Sequence, residues 1–168
     1  SGLGSASLVH LDKTRIDQEI LARPLKHARG SQVEYSCPGF IVLGRLIEKA
    51  SGEKLAVLAK EQVFAPLGMH DTSFHPASAN VAATATDPDL LGLVNDYNAR
   101  YIGQPVGNAG LFASLADCVK FARMLLGGGQ LDNKRIVSAR ILELAAQDHT
   151  PGLNESRGLG FYNPIGGS

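Results

Sequence analysis

Residues 39–50 read GFIVLGRLIEKA and follow Pro38 and the tripeptide Tyr35-Ser36-Cys37. Proline is favoured at the first position of a helix, so we predict a helix that begins at Pro38, with Cys37 as its N-cap. The charged residues of the segment are spaced i, i+3 and i+4: Arg45, Glu48 and Lys49. This spacing predicts a narrow polar stripe on an otherwise buried helix, which ends at Ser51-Gly52.

Four further helices are predicted around this segment from hydrophobic periodicity and stop signals. They cover Ile16–Ala22, roughly 54–64, 115–126 and 139–147. The third of these follows a capping box formed by Ser114 and Asp117, where Asp117 is interpreted as a structural residue. Its predicted apolar face consists of Leu115, Cys118, Val119, Ala122, Leu125 and Leu126. The sequence between the second and third helices, 69–106, is predicted to be mostly loop.

Strand candidates are few, and this determines the predicted fold class. Only 33–35, 135–137 and 160–162 look extended, and such pieces would not form an independently stable sheet. We therefore predict a mainly α fold with one domain over 8–162. Residues 1–7 are interpreted as a tag or a truncated end, without the pattern of a signal peptide, and 163–168 as a tail.

Composition excludes several functional classes. The chain has 168 residues, of which 44% are hydrophobic and 19% are charged, which is typical of a globular domain. Sixteen Lys and Arg residues balance sixteen Asp and Glu residues, which argues against a protein that binds mainly nucleic acid or anionic membranes. No apolar run is long enough to predict a membrane span.

The cysteines and histidines give no metal-type pattern. Cys37 and Cys118 are too far apart for such a motif, and we predict free thiols, although one long-range disulfide stays open. The loose group of His70, Asp71 and His75 has no helical ligand spacing. We interpret it as a solvated loop and expect no metal site.

Three segments carry a family resemblance: 35–44 (YSCPGFIVLG), 65–72 (APLGMHDT) and 108–114 (NAGLFAS). In this order they resemble the β-lactamase-related serine hydrolases, which include class C β-lactamases, DD-peptidases and esterases. The resemblance runs from about 16 to 162. It implies the helical subdomain of the β-lactamase/transpeptidase-like fold, without most of the family's antiparallel sheet.

The resemblance also implies a reaction and its residues. In the family a serine nucleophile forms an acyl-enzyme with an amide or ester substrate, without a metal or other cofactor. Tyr35 matches the family's general base, and a phenol serves as a base only where neighbouring cations lower its pKa. Asn108 and Ala109 match a segment that lines the substrate cleft.

The chain departs from the family pattern at three points. No Ser-x-x-Lys nucleophile motif precedes Tyr35, and no Lys-Thr-Gly or His-x-Gly motif follows 162. The one literal match, Ser51-Gly52-Glu53-Lys54, is interpreted as a turn at the end of a helix. Cys37 occupies the position of the family's Asn or Asp, and a thiol cannot copy the hydrogen bonds of an amide.

Three hypotheses follow. The first is the helical subdomain of a β-lactamase-like hydrolase, inactive as an isolated chain. The alternative is a non-catalytic, free-standing helical module that binds a partner or forms a homodimer through the face left by the missing sheet. A third is a thiol enzyme with Cys37 as nucleophile, since a helix N-terminus favours the thiolate, although no motif supplies a histidine partner.

Overall fold

A computed structural model of the chain describes residues 7–77, 81–82 and 91–163. Within them, six α-helices accompany a single short β-hairpin, which confirms the mainly α prediction. The helices are α1 (Ile16–Ala22), α2 (Cys37–Ser51), α3 (Leu55–Ala59), α4 (Tyr97–Ile102), α5 (Leu115–Leu126) and α6 (Ala139–Ala146). A 3₁₀ turn, Lys13–Arg15, precedes α1, and a π-helical turn, Lys60–Phe64, continues α3. The hairpin pairs β1 (Gln130–Leu131) with β2 (Lys134–Arg135) in antiparallel register.

The helix caps follow the sequence with one correction. Ser114 caps α5 as predicted and Ser138 caps α6, each accepting a hydrogen bond from the backbone N–H three residues on. The N-cap of α2 is Ser36, whose Oγ accepts from the Gly39 N–H at 3.0 Å, and Cys37 is the first helical residue. Predicting Cys37 as the cap was therefore wrong, because a hydroxyl oxygen accepts this hydrogen bond better than a sulfur atom does.

Helix α4 lies in the region predicted to be loop. It has six residues, and a helix this short has little intrinsic stability in water. Two interactions hold it: Asp96 accepts a hydrogen bond from the Ala99 N–H at 2.8 Å, and Ala99 is buried in the core. Tertiary packing thus decides the helical state of this segment.

Two hydrophobic clusters organise the described residues. The first joins α1, α2 and α4 and contains Leu8, Ile16, Ile20, Ile41, Ala99 and Val106. The second joins the end of the π-helical turn to α5 and contains Phe64, Leu67, Met69 and Met124. The second cluster lies in the part of the chain that carries the APLGM segment.

Helix α2 is less buried than the sequence predicts. Four large apolar side chains on it are exposed: Phe40, Leu43, Leu46 and Ile47. Only the side that carries Ile41 and Gly44 is fully covered. The prediction of an otherwise buried helix was wrong, because the described segments cover this row only in part. We call Phe40, Leu43, Leu46 and Ile47 the apolar row of α2.

Helix α5 also differs from its predicted orientation. Leu115 and Leu126, expected on the buried face, are 82% and 89% exposed, whereas Asp117 and Met124 are buried. The predicted apolar face was therefore wrong. A buried ion-paired network around Asp117 turns the helix so that a carboxylate, rather than a leucine stripe, points inward. None of the described helices is long and apolar enough to cross a membrane.

A close backbone approach fixes the loop after α4 onto α2. A Cβ atom at position 107 would lie 2.2 Å from the Phe40 carbonyl oxygen, a distance that no real side chain tolerates. A Cβ atom at Gly44 would lie 3.1 Å from the Gly107 nitrogen. Glycine at both positions lets the loop rest directly on the helix, and this contact brings Asn108 and Ala109 to α2.

Asp117, on α5, binds the backbone and side chain of residues 71–72 through hydrogen bonds. Its Oδ2 accepts hydrogen bonds from the Asp71 N–H at 2.8 Å and the Thr72 hydroxyl at 2.9 Å, and its Oδ1 pairs with Lys120 Nζ at 2.8 Å. Burial by itself would raise the pKa of Asp117, but the hydrogen bonds from Lys120, Thr72 and Asp71 outweigh burial and lower it. The side chain is 1% exposed.

We expect Asp117→Asn to lower the free energy of unfolding by about 2–4 kcal/mol at pH 7, because the amide turns a donor toward groups that need an acceptor. The pKa of Asp117 is lowered in the folded state, so its contribution is present above the unfolded pKa of about 4 and is lost as the pH falls through the folded value. The difference between the two proteins should therefore shrink from pH 7 toward pH 3. Urea unfolding at both pH values measures it.

Asp132→Asn makes the same chemical change at an exposed carboxylate, whose nearest cation, Arg123, is 3.9 Å away. This control should stay within about 0.5 kcal/mol of the parent. Equal losses in the two variants would contradict a special role for the buried network.

Candidate functional site

The resemblance-derived base, Tyr35, lies at the N-terminal end of α2. Ser36 is the N-cap of this helix, so Tyr35 precedes the helix in the chain. The Tyr35 residue is 72% exposed. The hydroxyl lies 3.6 Å from the Cys37 sulfur, within the looser hydrogen-bond range of a thiol. Tyr35 and Cys37 therefore form one site.

Asp96 is a third member of this site. Its Oδ2 is 4.0 Å from the Cys37 sulfur, and its Oδ1 accepts from the Ala99 N–H at 2.8 Å and from Asn108 Nδ2 at 3.1 Å. One carboxylate thus caps α4, holds the loop at 108 and reaches the start of α2. We call Tyr35, Cys37, Asp96 and Asn108 the tyrosine cluster.

The charges around Tyr35 disfavour its ionised form. The hydrogen bond with Cys37, the potential negative charge of that sulfur, a small loss of contact with water and the Asp96 carboxylate all raise the pKa of Tyr35. A phenolate here would stand beside groups that are anionic or can become so. The described residues thus create the opposite of the environment that a tyrosine base requires.

Two cavities flank the apolar row of α2. One, of about 330 Å³, opens beside Tyr35 and Ser36 and is closed on its other side by Arg157 and Phe161. The second, of about 340 Å³, has mainly apolar walls formed by α2 side chains and Leu111, and it includes Asn108 and Ala109. Phe40 and Leu43 line both cavities. The two predicted cleft residues, Asn108 and Ala109, therefore lie on the same side of α2 as Tyr35's neighbours.

The wall of the cavity opposite Tyr35 is formed by residues near the C-terminal end of the described chain. Asn154 exchanges two hydrogen bonds with the Val33 backbone, at 2.7 and 3.0 Å, and so fixes residues 157–161 opposite the start of α2. Arg157 pairs with Glu155 and lies over the Tyr162 ring, 4.4 Å from its centre.

Other residues singled out from the sequence lie elsewhere. Ser51 is at the far end of α2, about 20 Å from its start at 1.5 Å per residue, and its hydroxyl donates to the Ile47 carbonyl at 2.8 Å. Gly52 follows it with a φ of 77°, as expected of a helix-ending glycine. The literal Ser-x-x-Lys of this turn is thus remote from Tyr35.

Among the described residues, the thiols and histidines form neither a disulfide nor a metal site. Both cysteines are free, as predicted, with Cys37 buried and Cys118 exposed. No group of three His, Cys, Asp or Glu side chains converges as metal ligands within the described ranges. His70 and His75 line a separate cavity of about 450 Å³ under the π-helical turn.

Sequence reasoning missed Asp96 as a site residue. Its signal was a capping pattern, an aspartate three residues before Ala99, within a stretch predicted to be loop. Cys37 and Asp96 are 59 positions apart in the sequence, which gives no hint that the two side chains meet.

Comparison with known proteins places these residues in a family. The family described as Beta-lactamase matches residues 3–165. Penicillin-binding protein 4 of Amycolatopsis lactamdurans is 32% identical over 124 residues, covering 68% of this chain and 32% of that protein. Lovastatin esterase of Penicillium rubens is 28% identical, covering 92% of this chain and 40% of its own length.

Solved structures share the fold. D-amino acid amidase from Ochrobactrum anthropi superposes with a TM-score of 0.64 at 19% identity, over 96% of this chain and 48% of that one. The chain therefore spans less than half the length of the relatives and structures named here. The match over residues 3–165, together with the Tyr35 motif at the start of α2, shows that this chain belongs to the β-lactamase family of serine hydrolases.

Proposed function

We propose that this chain forms the helical half of a serine hydrolase that cleaves amide or ester bonds through an acyl-enzyme. The observation that carries the proposal is the position of Tyr35, exposed at the start of α2 and facing a cavity of about 330 Å³. A hydroxyl at the mouth of a cavity can exchange protons with a nucleophile and a leaving group bound there. The family membership supplies the reaction class.

In this proposal, the serine nucleophile and the third motif come from polypeptide outside these 168 residues. Support comes from the sequence, in which the one Ser-x-x-Lys lies at the wrong end of α2. The apolar row of α2 offers a surface on which such polypeptide would pack. Burial of four large side chains on this row would contribute several kcal/mol to the association, at about 25 cal/mol per Å².

The acyl group of the substrate would occupy the cavity beside Tyr35. Its walls combine the apolar side chains of Phe40, Leu43 and Phe161 with the Arg157 guanidinium at one edge. This lining suits a medium-sized apolar or aromatic acyl group rather than a polyanion. Asn108 and Ala109, on the neighbouring cavity, would line the extension of the same cleft.

A second candidate function, a self-associating helical module, is favoured by the same apolar row. Exposed apolar side chains in a contiguous row mark interaction surfaces. A second copy of the chain would cover the row if no other polypeptide does. Cys37 as the nucleophile of a thiol enzyme gains less support, since the residue is buried and no histidine is among its hydrogen-bond partners in the described structure.

We expect the protein encoded by the complete reading frame to form one covalent adduct with a fluorophosphonate. Tyr35→Phe should slow adduct formation about 100-fold or more, because it removes the proton acceptor of the nucleophile. The rate is measured by intact-protein mass spectrometry. Tyr97→Phe is the matched control, since Tyr97 is 73% exposed and starts α4 outside the cavity, and it should react at the parental rate.

Absence of any adduct on folded protein would overturn the hydrolase proposal. The isolated 168-residue chain should give no adduct under the same conditions. An adduct on this chain that disappears in Tyr35→Phe would place the nucleophile within these residues and contradict the expected external serine.

For the isolated chain we expect a homodimer by light scattering at tens of micromolar. Leu43→Lys should convert the dimer to a monomer, because it places a charge in the centre of the apolar row. Leu126→Lys introduces the same charge at an 89% exposed leucine of α5 and should leave the dimer intact. A monomeric parent chain, or a dimer that resists Leu43→Lys, would rule out this surface for self-association.

A further inference from the structure

Within the described part of the chain, the Asp96 carboxylate has no cationic partner where it meets the start of α2. Among the described residues no ion pair includes Asp96, although its oxygens lie in a partly buried position between α2 and α4. Carboxylates withdrawn from water are usually paired with a cation. The missing partner is the first indication that this site accepts one.

The other polar atoms of the tyrosine cluster add acceptors without positive charge. Asn108 donates its Nδ2 to Asp96, while its Oδ1 is buried and has no hydrogen-bond partner within the described chain. The Tyr35 hydroxyl oxygen, which accepts a hydrogen bond from the Cys37 thiol, completes this group of acceptors. A ligand for this cluster must therefore bring N–H donors and a positive charge.

The remaining acceptor capacity favours an ammonium over a guanidinium group. Oδ1 of Asp96 already accepts two N–H donors, from Ala99 and Asn108, whereas Oδ2 receives a weak, 4.0 Å hydrogen bond from the Cys37 thiol and keeps capacity for the ligand. A guanidinium pairs best with both oxygens of a carboxylate at once. An ammonium is a compact point charge with three donors, which suits one carboxylate oxygen and the oxygens nearby.

We propose that Asp96 is a positioning residue that binds a primary ammonium group between itself and Tyr35, in place of an amide at position 37. The proposal rests on the proposed hydrolase function. The ammonium would favour the ionised form of Tyr35 and oppose the effect of its present neighbours. Its source is either a lysine from polypeptide outside these residues or an amino group on the substrate.

Binding is tested first on the 168-residue chain labelled with ¹⁵N. We expect n-butylammonium chloride, at constant ionic strength, to shift the Ala99 amide and Asn108 side-chain signals saturably. Tetramethylammonium chloride carries the same charge without N–H donors and should not do so. Asp96→Asn should abolish the shift while preserving the cap of α4, because asparagine caps helices as well as aspartate does.

Asp12→Asn is the matched control. Asp12 also caps a helical turn, by accepting from the Thr14 N–H at 2.9 Å, but it is exposed and outside the cluster. This variant should bind butylammonium like the parent. No saturable shift in the parent chain, or an equal shift in Asp96→Asn, would overturn the proposal.

Kinetics on the complete protein distinguish the two sources of the ammonium. The substrates are p-nitrophenyl 6-aminohexanoate and p-nitrophenyl hexanoate, which differ by the amino group. Asp96→Asn should lower kcat/KM about 10- to 100-fold, which is the loss of rate expected when a hydrogen bond to a charged group is weakened. A loss with both substrates assigns the ammonium to a lysine of the protein, and a loss confined to the aminohexanoate assigns it to the substrate.

A rescue separates positioning from a merely structural role. If a protein lysine is bound, adding Cys37→Asn to Asp96→Asn should restore most of the lost rate, because the new amide accepts from the ammonium. Parental activity of Asp96→Asn on both substrates would overturn the proposal even if the hydrolase function stands. If the complete protein hydrolyses neither substrate, the hydrolase function fails, and the butylammonium titration alone decides the role of Asp96.

Discussion

The contact between Gly107 and helix α2 is the constraint on which the site depends. The loop lies so close to the helix that a Cβ atom at 107 would lie 2.2 Å from the Phe40 carbonyl oxygen. Because the backbones touch, Asn108 reaches Asp96, and Asp96 reaches Cys37. A larger residue at 107 would lift the loop from the helix and separate these side chains. The polar contacts of the site thus depend on the close packing of Gly107 against α2.

The electrostatics are incomplete within the described residues. Tyr35 has a raised pKa and Asp96 lacks a cation, although a working tyrosine base needs a cation beside it. The apolar row of α2 is likewise only partly covered by the described residues. The chain corresponds to less than half of the length of the relatives named above. An external polypeptide that covered the row could also deliver the cation.

Sequence reasoning succeeded where local interactions decide the structure. The bounds of α1, the cap of α5 at Ser114 and the end of α2 at Gly52 were predicted because each depends on residues within one turn. It failed where burial depends on distant segments. The buried face of α5 was misassigned because Asp117, a charged residue, finds its partners Asp71 and Thr72 more than forty positions away.

The sequence by itself determined the mainly α class, which follows from residue type and short spacing, and the family motifs, whose resemblance makes Tyr35 the candidate base. Only the tertiary structure decided that Asp96 joins Tyr35 and Cys37, and that Ser51 does not. The physical reason is distance along the chain. A helix carries Ser51 away from Tyr35 at a fixed rise per residue, whereas a loop anchored by glycine contact returns Asp96 and Asn108 to the start of the same helix.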